Sequence, residues 1–86
     1  MDITVMRFLR IKYGISLKEL AVAVNVSKQY MNNIELGIRR GNSLQLVQKA
    51  FEEVISQRDK RFQELSAVYN DNRDRLLDFS ASEVDL

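Results

Sequence analysis

The chain has 86 residues, a net charge of +1, and no Cys, His or Pro. Lacking thiol and imidazole, it is without disulfides, the usual zinc sites, a cysteine nucleophile and histidine acid–base chemistry, so no enzyme, metal site or cofactor is expected. At 45% hydrophobic and 29% charged residues it reads as one globular unit with a modest core. No apolar run approaches the roughly 20 residues of a membrane span, and Met1-Asp2 opens directly into amphipathic sequence rather than a signal peptide. A cytoplasmic protein without a membrane partner is the expectation. The charge is polarised. Residues 1–43 carry seven basic and three acidic side chains, and residues 44–86 carry six basic and nine acidic ones, so a basic front half precedes an acidic rear half.

With no Pro and only three Gly, the chain predicts a mostly helical fold. The first helix is expected over residues 3–13, with Val5, Met6, Leu9 and Tyr13 inward and Arg7, Arg10 and Lys12 outward, ending at Gly14. Ser16 with Glu19 three residues on is a capping-box signal, and Leu17, Leu20, Ala21 and Val24 then recur at helical spacing over residues 17–24. Asn25 stands where a tight turn needs a residue tolerant of positive φ. Ser27 can cap the next helix, over residues 28–36, in which Met31 and Ile34 face inward and Lys28, Gln29, Asn32 and Asn33 outward. Two short helices joined by such a turn are a helix-turn-helix pattern. No acidic residue falls between residues 20 and 34, which suits a face turned towards DNA.

After Gly37 an irregular stretch, Ile38-Arg39-Arg40-Gly41-Asn42, leads to Ser43, which can cap a fourth helix using Leu44, Leu46, Val47, Phe51 and Val54. Beyond it Ile55, Phe62, Leu65, Tyr69, Leu76 and Phe79 fall on one heptad-like seam without a break signal. That spacing fits a coiled-coil helix pairing two chains, or a helix that breaks near Asn70-Asp71-Asn72 and folds back. Residues 80–86 read as a frayed acidic tail. The expected division is a DNA-binding domain at 1–56, a helical dimerisation extension at 57–79 and a flexible tail at 80–86.

Gly14-Ile15-Ser16, Glu19-Leu20-Ala21, Val24-Asn25-Val26-Ser27 and Ile34-Glu35-Leu36-Gly37 together resemble the Cro/cI-type helix-turn-helix domains of phage repressors and many bacterial regulators. The resemblance covers residues 3 to about 55. It implies an all-α, lambda-repressor-like bundle, here with a long C-terminal helical extension, whose second paired helix enters the major groove. On that basis Lys28, Gln29, Asn32 and Asn33 read base edges, and Tyr30 meets thymine methyls or a phosphate. Arg39, Arg40 and Asn42 follow the DNA backbone, and the helix start at Ser16 and Leu17 abuts a phosphate. Arg10 and Glu35 form a structural ion pair, with Arg10 also a phosphate contact.

Two positions depart from the family pattern. Leu17 stands where a phosphate-touching Gln is frequent, and Gly41 replaces the Pro that often follows the basic loop residues. The functional expectation is a small sequence-specific transcriptional repressor, a homodimer on a double-stranded DNA operator, with a protein regulator as a further partner. A protein-interaction module acting mainly through the C-terminal helix, as an adaptor or antitoxin-like partner, is the alternative.

Overall fold

A computed structural model describes residues 2–38, 41–58 and 63–84. Thr4 begins the first helix: its hydroxyl accepts from the Arg7 amide at 3.2 Å, taking one of the amides that a helix leaves unpaired in its first turn. Helix α1 (Val5–Lys12) buries Val5, Met6 and Leu9. Helix α2 (Leu17–Ala23) opens on a complete capping box, the Ser16 hydroxyl accepting from the Glu19 amide and the Glu19 carboxylate accepting from the Ser16 amide. Helix α3 (Lys28–Glu35) starts at Ser27, whose hydroxyl accepts from the Tyr30 amide at 3.0 Å.

All three helices close with the same paired hydrogen bonds. The Gly14 and Ile15 amides donate to Ile11 and Arg10, the Asn25 and Val26 amides to Val22 and Ala21, and the Gly37 and Ile38 amides to Ile34 and Asn33. This is the Schellman arrangement, which needs a left-handed residue just past the helix. Asn25 supplies it between α2 and α3 at φ 57°, where the other two closures use glycine. The turn is therefore encoded by one residue.

Helix α4 (Ser43–Gln57) differs from expectation at its start. Ser43 is the first helical residue, buried at 4% exposure, and Asn42 occupies the capping position without a side-chain cap bond. At its other end Arg58 turns extended, with ψ 159°, and its guanidinium reaches the Glu19 carboxylate. Helix α5 (Gln63–Asn72) is followed by single 3-10 turns at Arg73–Arg75 and Ala81–Glu83. No strand occurs among the described residues.

The C-terminal region follows the second of the two expected arrangements, a helix that ends at Asn72 and folds back on its own chain, rather than one continuous extension. It is a separate helix and a docked terminal segment, and one hydrophobic cluster runs across the boundary expected at residue 56. Leu65, Tyr69 and Leu76, anticipated on a seam between chains, are 0%, 2% and 0% exposed within this chain. Tyr69 stacks on Phe51 with ring centroids 5.7 Å apart, and its hydroxyl donates to the Glu52 carboxylate at 2.6 Å with the Gln48 carbonyl 3.1 Å away. Burial is available inside the molecule, so these apolar groups close the core rather than wait for a partner. Ile55 packs against that core partly buried. Phe79 stays half exposed against Gly37, and Phe62 lies outside the described residues.

The tail is also docked rather than frayed over residues 80–84. Ala81 is buried and its amide donates to the Ile3 carbonyl, while Asp2 accepts from both the amide and the hydroxyl of Ser82. Further back, the Leu76 and Asp78 carbonyls accept from the Met6 and Val5 amides at 2.8 and 3.0 Å. With Thr4 taking the Arg7 amide, the first three amides of α1 are all satisfied, two of them by the C-terminal segment.

Candidate nucleic-acid interface

Helix α3 is fixed from behind. Met31 and Ile34 are fully buried, and Glu35, 2% exposed at its side chain, holds Arg10 of α1. The bond is bidentate: Arg10 Nε and Nη2 donate to the two Glu35 carboxylate oxygens at 2.9 Å each, the geometry in which Arg and a carboxylate pair most strongly. Arg10 Nη1 donates to the Ile15 carbonyl at 3.4 Å. Its guanidinium is therefore engaged within the chain, and only 16% of its side chain is exposed. Arg7 stands 3.9 Å from the same carboxylate and is 45% exposed, the more open of the two cations.

The opposite face of α3 is polar. Lys28 and Gln29 are exposed and Asn32 and Asn33 half-buried, so the four residues expected to read bases share one helix on the side away from its core stripe. Gln29 and Asn33 are bonded to each other, the Gln29 Nε2 donating to Asn33 Oδ1 at 3.0 Å. Tyr30 leans back onto the core. These side chains combine donors and acceptors of the kind that match base edges in the major groove.

At the start of α2, Ser16 uses its amide and hydroxyl in the capping box, and the Glu19 carboxylate stands at the same helix end. That leaves the Leu17 and Lys18 amides for any outside acceptor. Asn42 is exposed at the start of α4, and Arg39 and Arg40 lie outside the described residues. The Gln29–Asn33 bond and the Arg58–Glu19 pair were not anticipated. Amides one turn apart signal the first, whereas nothing local signals the second, whose partners are 39 residues apart.

Two helices at a tight turn, the second carrying an outward polar face and anchored by a buried ion pair, define a helix-turn-helix protein. A helix-turn-helix family model matches residues 6–52, and the chain belongs to this Cro/cI-type family of DNA-binding transcription regulators. No curated protein and no solved structure matches the chain.

Proposed function

We propose that the protein is a sequence-specific transcriptional repressor that binds an operator as a homodimer and reads the major groove with α3. The observation that carries this reading is the outward face of α3, where Lys28, Gln29, Asn32 and Asn33 stand together on a helix fixed at both ends and pinned by Glu35. In this reading Lys28 donates to guanine O6 and N7, and the amides of Gln29 and Asn32 pair with adenine, with Asn33 beside them on the same face, each good contact contributing about 1–3 kcal/mol of discrimination. Tyr30 contacts a thymine methyl or a phosphate. Arg39, Arg40, Asn42 and the first amides of α2 position the domain on the backbone, with the open Arg7 adding positive charge while Arg10 serves the pair with Glu35. The protein then acts in the cytoplasm, where the DNA is, and repression follows where the bound dimer blocks a promoter.

The homodimer needs a surface other than the buried seam. Leu36, Ile38 and Phe79, 48%, 65% and 54% exposed, surround Gly37 at the C-terminal end of α3, Phe79 packing on Gly37 itself. Pairing two copies there keeps the N-terminal halves of both recognition helices free for successive major grooves, about 34 Å apart.

Selection of bound duplexes from a random pool, with the wild type and a variant in which Lys28, Gln29, Asn32 and Asn33 are all Ala, tests the reading. An enriched inverted repeat that vanishes in the variant is the expected result. Absence of enrichment with both proteins overturns it.

A further inference from the structure

We infer that Asn33 governs sequence recognition through Gln29, as a positioning residue that fixes which edge of the Gln29 amide faces the DNA. The inference rests on the proposed reading of the major groove by α3 and specifies how one of its contacts is made.

A glutamine side chain ends in an amide with two chemically opposite ends, and a half-turn about its last bond exchanges acceptor for donor. On an exposed helix face such an amide has no preferred orientation of its own, and so no fixed base preference. Gln29 is exposed, but its Nε2 donates to Asn33 Oδ1 at 3.0 Å. Turning the Gln29 amide over alone would set Gln29 Oε1 against Asn33 Oδ1, two acceptors facing each other, so the two amides can turn only together. The orientation of Gln29 is therefore tied to that of Asn33. With Asn33 Oδ1 towards it, the bond uses a single N–H, leaving Oε1 and the second N–H of Gln29 free. That is the acceptor and donor pair that adenine complements with its N6 amine and N7.

Asn33 suits the bracing role. It lies one helical turn from Gln29, where side chains meet. Its side chain is one methylene shorter than that of Gln29, and the residue is half-buried. Its own backbone carbonyl is tied by the Ile38 amide at 2.9 Å in the closure of α3, so the base of the brace is fixed by the main chain. Within α3 the bond to Asn33 is the one that orients Gln29.

The test is selection from a random duplex pool followed by titration of the enriched site and its single-base variants, with Gln29→Ala, Asn33→Ala, Asn33→Asp and the Gln29→Ala/Asn33→Ala double variant. Thermal melts verify that each is folded. Gln29→Ala and Asn33→Ala are expected to lose preference at the same operator position, by about five-fold or more, with the double variant no worse there than Gln29→Ala. Asn33→Asp keeps an acceptor oxygen for the brace, so it should retain that preference while its added negative charge weakens binding to all sequences alike. Loss of preference at a different position in Asn33→Ala, with the Gln29 position intact, overturns the inference and makes Asn33 a base reader in its own right. Equal loss in Asn33→Asp and Asn33→Ala overturns it too. An unchanged preference in Gln29→Ala overturns both this inference and the reading beneath it.

Discussion

Glu35 has the most consequential position for its size. It is a carboxylate with a side chain 2% exposed, held by both donors of one Arg10 edge, and removing one partner of such a pair leaves the other desolvated and uncompensated. Glu35→Ala is expected to lower stability by about 3 kcal/mol, read from urea unfolding, and to loosen the link between α1 and α3. A loss below about 1 kcal/mol would show the pair to be dispensable. Gly37 is demanding for a different reason. Its φ is 78°, and a Cβ there would sit 3.3 Å from the Phe79 ring. Gly37→Ala therefore combines the left-handed penalty of about 1–2 kcal/mol with displacement of Phe79, and the same denaturation experiment should register at least the first. Both residues act on recognition only indirectly, by fixing where α3 lies.

At the level of the helices, what was legible in the sequence was what is local. Ser16 with Glu19, Ser27 and Asn25 each signal through bonds spanning no more than about five residues, and each lies where its signal put it. Ser16→Ala should cost about 1 kcal/mol through loss of the cap, a shift readily seen in a thermal melt. The fourth helix was less legible because Asn42 and Ser43 are both capping residues, and burial of Ser43 decided the register. The C-terminal region stayed open between two arrangements for a deeper reason. Leu65, Tyr69 and Leu76 have the same spacing whether the surface they cover belongs to another chain or to their own. The feature that decides between these is the extended backbone at Arg58, in a stretch without Gly or Pro. Its ion pair with Glu19 is a tertiary contact that no local pattern carries. The polar face of α3 was legible because helical periodicity fixes it, and so was the spacing, though not the bonding, of Gln29 and Asn33.

For the molecule as a whole, the C-terminal third is part of the core. Truncation after Gln57 removes, among other buried groups, Leu65, Tyr69 and Leu76, none more than 2% exposed, each large-to-small change at such sites costing about 2–5 kcal/mol against a typical total of about 5–15 kcal/mol. The truncated chain is expected to show no cooperative melting transition, and a sharp transition would contradict the shared core. Tyr69 adds a dependence on pH. Burial first, then the Glu52 carboxylate, push its phenol above the ordinary value, with Arg73 opposing. Folding thus favours the protonated form, a contribution fully present below the unfolded value of about 10 and lost as pH rises past it. Stability should decline above about pH 10, and Tyr69→Phe should flatten that decline in melts recorded across the alkaline range. For assembly, Phe79→Ser is expected to shift the proposed dimer towards monomer in sedimentation, and an unchanged dimer would move the interface elsewhere.

The bonds from the Val5 and Met6 amides to the Asp78 and Leu76 carbonyls, with Asp2 holding Ser82 across 80 residues, set a schedule for the protein's birth. A chain made at about 5–20 residues per second exposes α3 well before the groups that complete its first helix have left the ribosome. Helix α1 is completed only when residues 76–82 have been made. A nascent or clipped copy that lacks residues 76–82 is therefore expected to be unfolded and open to proteolysis, and only chains in which residues 2–6 have met residues 76–82 count as folded protein.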